Sequence, residues 1–276
     1  MTAPYTAAPV PPPASAPAYA PRPAPGALRL RPLPGEVTAS YLARLASAYR
    51  MPLTHLLDGL GIRLSPGPDT RPPGSELTLT ATAQQYLAAF TRIPHPHLRR
   101  ALPCLSPTDR PHTSDPTGET ATALWQHTPP ALQPVRACTV CVKHRTPDAI
   151  ATTAWIYPQP PHVLLCIRHQ QASSDPRHTT PLGIRTLPEV AHTHRRLARA
   201  VSAAPALTWA ATITTRWYDH QQHLATRWQT RLAALTAANP HTCDGPASPT
   251  LTCRSLVTYP ETLTLAQALA ASPTAP

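Results

Sequence analysis

The sequence predicts a mainly α-helical protein with a small zinc-bound β element, in the order N-terminal helical segment, zinc finger and helical C-terminal half. Two observations predict this class. Apolar residues recur at helical spacing in segments near both ends of the chain. The middle holds two pairs of metal-ligand residues, Cys138 with Cys141 and Cys166 with His169, and short runs typical of strands lie between them. We therefore expect two helical parts flanking a metal-bound element.

The composition predicts the size of the apolar core and the charge of a binding partner. The chain has 276 residues, which leaves room for about two folding units, and its 39 prolines and single phenylalanine predict a thin apolar core. Lys and Arg number 24 against 13 Asp and Glu, which gives a formal net charge of +11 and a pI near 10.0. Basic side chains that neutralise phosphates release condensed counterions, so the charge favours DNA as a partner. The alternative is GC-driven arginine on a solvated surface.

The sequence predicts no membrane partner. No stretch approaches the roughly 18 to 20 apolar residues that a span needs, and the first residues show neither a basic n-region nor an apolar h-region. We therefore expect a cytoplasmic protein. In that compartment the C-x-x-C spacing indicates metal binding rather than a disulfide framework.

Composition and periodicity also predict the boundaries of the parts. They are a disordered Pro/Ala-rich tail over 1–27, an N-terminal helical domain over 28–93, a linker over 94–118, a zinc-finger region over 119–187, a C-terminal helical region over 188–271 and a tail over 272–276.

Three helices are predicted in the N-terminal domain. One covers 37–49, a second begins at Pro52, and a third covers 77–90, each with leucine, alanine or aromatic residues along one face. The first two are short and separated by about two residues, so they resemble a helix-turn-helix in outline. Two packed helices of an ordinary small α-domain are the competing interpretation.

The remaining elements follow from the same patterns. We expect a short helix around 119–127 and strands over 152–157 and 162–166, which would bring the second pair of ligands beside the first. A basic helix is expected from Pro188. One long amphipathic helix is expected over 207–235, and a short one over 261–271. The tryptophans of the long helix are interpreted as a packing seam.

The paired cysteines and histidine predict one structural zinc site. Two thiolates three residues apart on a tight turn can both reach a tetrahedral metal at about 2.3 Å, and Cys138 with Cys141 and Cys166 with His169 supply such pairs. Because protein groups fill all four positions, no position is left for a reactive water. The alternative is four unrelated residues.

Other cysteines and histidines carry no strong pattern. Cys243 and Cys253, with His241 nearby, could be remnants of a second site, but their spacing favours ordinary cysteines, and Cys104 stands alone. No phosphate loop, HExxH or Gly-x-Ser-x-Gly motif occurs, and the acidic residues are too scattered for a two-metal nuclease. We expect a non-enzyme; a zinc hydrolase would need an exchangeable water at the metal.

Four arginines are the candidate nucleic-acid contacts. Arg195, Arg196 and Arg199 lie on the basic helix, and Arg168 lies between Cys166 and His169. Arginine contacts to phosphate position a nucleic acid without reading its sequence.

Two motifs resemble a known family. The run Arg31-Pro-Leu-Pro-Gly-Glu36, with Ser40 and Arg44 on the helix that follows, resembles the opening of TniQ family proteins. The Cys-x-x-Cys pair, the Trp-containing strands and the Cys-x-x-His pair are similar to the zinc finger of the same family. Together the motifs cover roughly 29–170. The sequence departs from the family where His169 is followed by Gln170, because members commonly continue with Gly, a leucine and further cysteines.

The resemblance implies a function. TniQ proteins are accessory factors of Tn7-like and Tn5053-like transposons, so it implies DNA binding or target selection in transposition and DNA recombination, together with an AAA+ regulator and a transposase. Some relatives bind a specific attachment site, and others dimerise and dock on an RNA-guided complex. The alternative from the residues is a protein-interaction scaffold or transcription-type regulator that forms a homodimer through the long C-terminal helix.

Overall fold

The computed structural model describes residues 23–65, 75–105, 120–126, 133–146, 153–158, 164–197, 204–242 and 245–271. This part of the chain contains eleven α-helices and eight short strands, which confirms the mainly α class. None of these helices is long and apolar enough to span a membrane. Nearly all of the tail predicted over 1–27 lies outside the described residues.

The N-terminal elements surround one apolar core, which we call the first core. Helix α1 forms because its buried stripe repeats at helical spacing: Tyr41, Leu42 and Leu45 are all 0% exposed. Pro52 precedes α2, and Leu56 and Leu57 pack inward from it. The elements in order are α1 (Thr38–Ala48), α2 (Leu53–Gly59), β1 (Arg63–Leu64), β2 (Glu76–Leu79), α3 (Ala81–Thr91) and α4 (His95–Ala101).

A three-stranded sheet covers this core and overturns two predicted helices. Strand β3 (Thr122–Gln126) lies between β1 and β2, parallel to β1 and antiparallel to β2. The helix predicted over 77–90 is therefore wrong at its start, and the helix predicted around 119–127 is a strand. In β2, Leu77 and Leu79 are buried and Thr78 between them is half-buried. This period of two is typical of a strand and not of a helix.

The segment expected as a linker over 94–118 is packed where the structure describes it. Helix α4 and a 3₁₀ turn (Pro103–Leu105) follow each other there, and Leu98 and Leu102 are 0% exposed in the first core. Pro94 precedes α4 and fixes its start. The His- and Pro-rich composition predicted a linker. The spacing of Leu98 and Leu102, which places both in the core, did not enter that prediction.

Strands occur within both segments predicted as strands in the metal region, and each pairs with another segment. Strand β5 (Trp155–Ile156) pairs with β4 (Val135–Arg136), and β6 (Leu164–Cys166) pairs with β7 (Gln171–Ser173), which also pairs with β8 (Leu182–Gly183). Helix α5 (Thr139–Arg145) follows β4 and packs in a small core of Leu33, Ala137, Val142, Ala154 and Ile156.

The C-terminal helices form a second core. They are α6 (Pro188–Leu197), α7 (Ala204–Asp219), α8 (Ala225–Ala238), α9 (Pro249–Thr252), α10 (Arg254–Val257) and α11 (Tyr259–Ala271). Arg231 links α8 to two other helices, because it donates to Glu189 of α6 at 2.9 Å and to Glu261 of α11 at 2.7 Å.

The single long helix predicted over 207–235 is wrong. The chain breaks between α7 and α8, where Gln221 adopts a left-handed φ of 50° and the Gln222 N–H donates to the Trp217 carbonyl. The break lets Tyr218 pack on Trp228, with 5.6 Å between ring centroids. No glycine or proline lies at this break, and the apolar periodicity continues through it. The periodicity therefore predicted one helix where the structure has two. The tryptophan seam packs within one chain.

A buried ion pair organises the start of the first core. Arg44 donates from Nε and Nη2 to the two carboxylate oxygens of Glu36, at 2.7 and 2.6 Å, and both side chains are 0% exposed. The Leu33 N–H and the Ser40 hydroxyl also donate to this carboxylate. Ser40 Oγ in turn accepts the Trp155 N–H at 2.9 Å, which attaches β5 to α1.

Further contacts hold β5 on the N-terminal elements. The Val37 N–H donates to the Trp155 carbonyl, and the Tyr157 N–H donates to the Gly35 carbonyl, so the chain before α1 extends the small β4–β5 sheet. The Tyr157 hydroxyl donates to Glu76 at 2.9 Å. Burial and the Glu76 carboxylate raise the pKa of Tyr157, so the hydroxyl stays protonated.

Breaking the buried pair should be far more costly than breaking an exposed one. We predict that Arg44→Met lowers the free energy of unfolding by about 3–5 kcal/mol, because the Glu36 carboxylate is left buried without its cation. The control is Arg254→Met, whose pair with Asp219 is about half exposed and should contribute less than about 1 kcal/mol. Chemical denaturation measures both, and similar losses in the two variants would contradict the organising role of the buried pair.

Candidate metal centre

Two local structures present the four predicted ligands. Cys138 caps the N-terminus of α5 and Cys141 lies in its first turn, so the helix holds both thiols on one side. Cys166 ends β6, and His169 lies in the turn before β7. Gln170 closes this turn with a left-handed φ of 49°.

The four ligand atoms form a compact cluster. The distances from His169 Nδ1 to the sulfur atoms of Cys138, Cys141 and Cys166 are 3.3, 3.3 and 3.4 Å, and Cys141 Sγ lies 3.7 Å from Cys166 Sγ. All four atoms lie within 4.8 Å of one another. A tetrahedral zinc with ordinary bond lengths has S–S edges of about 3.8 Å and S–N edges of about 3.6 Å. The cluster therefore fits a metal ion and could hold one.

Protons and a metal ion compete for the cysteine thiols of the cluster. Burial, followed by the neighbouring Cys166 thiol, raises the pKa of Cys141 to about 12, and burial also raises the pKa of Cys138. Both thiols are therefore protonated at neutral pH without a metal. A divalent cation reverses this preference, so its binding should displace about two protons from them, and metal affinity should fall as the pH is lowered.

Neighbouring side chains fix the ligands in place. The Gln171 side-chain oxygen accepts the Thr139 N–H at 3.2 Å, so the hairpin turn is bonded directly to the start of α5. The His144 ring stacks on His169, with 6.1 Å between centroids. The sequence analysis missed Gln171; its position in the hairpin, opposite Cys166, shows its role only once the strand register is known.

The centre joins the two cores of the protein. Helix α5 packs through Val142 into the small core, which includes Leu33 from the N-terminal elements. The hairpin packs through Ala172 into the second core with the C-terminal helices. Two ligands therefore come from each side, and a metal bound to all four would hold the sides together.

The predicted nucleic-acid contacts lie on two separate elements. Arg195 and Arg196 are exposed in the last turn of α6, and Arg168 is exposed in the turn between two ligands. Arg199 lies outside the described residues.

The other cysteines lie away from the centre where they are described. Cys253 is 0% exposed in the second core, its thiol lies 3.5 Å from the Thr252 hydroxyl, and burial raises its pKa to about 11. Cys243 lies outside the described residues. Within the described ranges, the four predicted ligands form the one group of three or more His, Cys, Asp or Glu side chains close enough to share a metal.

Removing one pair of ligands should release the metal. We predict that a Cys138→Ser, Cys141→Ser variant loses metal and unfolds around α5, because two of four ligands are gone and the small core has few residues of its own. Cys104→Ser, which changes a thiol 3.7 Å from the Tyr157 hydroxyl, is the control and should keep metal. Elemental analysis measures the metal content of both variants. Equal metal content in the two would exclude this site.

One of three comparisons with known proteins found a match. No curated protein and no solved structure matched the sequence. The TniQ family model matches residues 27–172, which is more than half of the chain. The matched residues run from before the Glu36–Arg44 pair to beyond His169, so they include the first core and all four ligands. The chain belongs to the TniQ family, a family of accessory proteins associated with transposition.

Proposed function

We propose that this chain is a zinc-containing, non-catalytic accessory protein of transposition that binds DNA and takes part in target selection. The observation that carries the proposal is the family match over 27–172, which contains the complete Cys3His cluster. The rest of the proposal concerns the metal, the charge and the partners.

Zinc is the metal that the cluster favours. Three thiolates and one imidazole at tetrahedral separations form a ligand set typical of structural zinc sites. Because the protein supplies all four ligands, the metal has no open position for a substrate or a reactive water. This supports a structural role and a protein without catalysis at this centre.

The surface charge supports a polyanionic partner. Among the described carboxylates, Glu36 and Glu76 are buried, and four others pair with arginines. Asp58 is the described carboxylate that is exposed without an ion pair. Within the described residues, exposed arginines such as Arg195 and Arg196 therefore face little unpaired acidic charge that would oppose phosphate binding. Family membership adds an AAA+ regulator and a transposase as proposed partners.

The helix-turn-helix interpretation stays a prediction. Helices α1 and α2 pack against each other in the first core, and α2 exposes Thr54, His55 and Asp58. Helix α2 has seven residues and no Lys or Arg, so its contacts to phosphate would have to come from neighbouring segments.

A protein-interaction scaffold is the second candidate function. Trp209 on α7 and Leu251 on α9 are 66% and 64% exposed, which is unusual for large apolar side chains. The tryptophan seam that suggested a homodimer packs within the chain, so these two residues are the better candidates for contacts with another protein. Light scattering at two concentrations tests self-association.

DNA binding through α6 is directly testable. We predict that the chain binds duplex DNA in a salt-dependent manner and that Arg195→Gln, Arg196→Gln, Arg199→Gln reduces the slope of log affinity against log salt by about 3, because each phosphate contact contributes about 0.9. Replacing the same residues by Lys keeps the charge and should keep most of the affinity. Fluorescence anisotropy measures both. Full affinity in the Gln variant would place the DNA surface elsewhere, and no binding by the unaltered chain would refute the DNA role.

A further inference from the structure

We infer that a second surface, beside the metal centre, binds the phosphodiester backbone of a nucleic acid through Arg31, Lys143, Arg145 and Arg168. We call these four residues the basic face. The inference rests on the proposed nucleic-acid function but names a surface distinct from the arginines of α6.

Contacts bring the segments that carry the four cations together around the end of α5. Arg145 donates to the Pro32 carbonyl at 2.7 Å, which brings the end of α5 beside Arg31. Lys143 lies two residues earlier on α5, on the side of the helix away from Arg145. The stacking of His144 on His169 brings that turn beside the hairpin, where Arg168 immediately precedes His169. Segments from three places in the chain thus carry basic residues to the surroundings of the α5 C-terminus.

No carboxylate of the described residues neutralises the charges of the basic face. All four side chains are exposed, and none forms an ion pair with a carboxylate in the described part of the chain. Three arginines of the C-terminal part differ, because Arg177, Arg231 and Arg254 each pair with Asp or Glu. A set of unpaired cations on a surface is the electrostatic pattern that attracts phosphates.

Two local roles do not account for all four cations. Lys143 and Arg145 lie in the last turn of α5, where basic side chains stabilise a helix by about 0.3–1 kcal/mol each. Cations near three thiolates would also offset the net charge of about −1 that a Cys3His site with a divalent ion carries. Arg31 belongs to neither helix nor hairpin, so neither role explains its place on the same surface.

The position of the basic face favours it as a family surface. All four residues lie within the matched range 27–172, whereas Arg195, Arg196 and Arg199 lie outside it. If nucleic-acid binding depends on the matched part of the chain, the contacts should lie there. Arginine can also bind phosphate with two parallel hydrogen bonds, and three of the four residues are arginines.

The test compares two double variants with equal loss of charge. Lys143→Gln, Arg168→Gln changes the basic face without touching Arg145, whose bond to Pro32 is structural. Arg63→Gln, Arg100→Gln is the control, because both residues are exposed on β1 and α4. Affinity for a duplex DNA, a duplex RNA of matching sequence and polyglutamate is measured over a range of salt, and metal content is measured in each protein.

We expect the Lys143/Arg168 variant to lose roughly 10- to 100-fold in affinity for duplex nucleic acid near 0.1 M salt, with a slope smaller by about 2. The control should lose less than about 5-fold, because only long-range attraction changes. Metal content should be normal in both. The comparison of DNA with RNA shows which backbone is the natural partner, and either preference supports the inference. If the double variant does not fold, Arg31→Gln replaces it, with a slope expected to fall by about 1.

Several results would overturn the inference. Equal losses in the two double variants would mean that net charge alone governs binding. Normal nucleic-acid affinity with reduced metal content would mean that the cations serve the thiolates. Equally tight, equally sensitive binding of polyglutamate would indicate an acidic protein partner. Failure of the unaltered chain to bind either duplex would refute the proposed function itself, whereas binding that depends on Arg195, Arg196 and Arg199 alone would refute only the basic face.

Discussion

The structure depends on the meeting of two ligand pairs that belong to different cores. Cys138 and Cys141 are carried by α5, which packs with the N-terminal elements, and Cys166 and His169 are carried by a hairpin that packs with the C-terminal helices. In the absence of a cation, burial favours the neutral, protonated form of the Cys138 and Cys141 thiols. A divalent metal bound to all four ligands would ionise these thiols and link the two sides.

The N-terminal side of this link is held by the buried Glu36–Arg44 pair. Two fully buried charges are tolerated only when their hydrogen-bonding groups are largely satisfied, and here Leu33 and Ser40 complete the carboxylate. Ser40 also accepts a hydrogen bond from the Trp155 N–H, so the buried pair and β5 share this side chain. The ion pair thereby helps to position β5 and the small core against which α5 packs. This arrangement gives a physical reason for the Gly-Glu, Ser and Arg residues that mark the start of the family motif.

Local features were predictable from the sequence and non-local ones were not. The four ligands and α1 follow from spacing within short segments, and the structure brings the ligands together as predicted. Strands β2 and β3 were assigned as helices because their pairing joins residues far apart in the chain, such as Leu79 and Ala123. The break at Gln221 has no glycine or proline to mark it. Of the basic face, the sequence predicted Arg168 alone as a nucleic-acid contact, since only the fold brings Arg31 beside Arg145. Function was predictable to the level of the family because its motifs are local.

The central claim is that the proposed zinc site couples two separately packed cores, and calorimetry tests it most directly. Thermal unfolding of the full chain should show one cooperative transition with metal bound. After removal of the metal by a chelator it should show two, because the first and second cores then unfold independently. A single transition after metal removal, whether shifted or unchanged, would contradict the account, since it would mean that other contacts join the two halves.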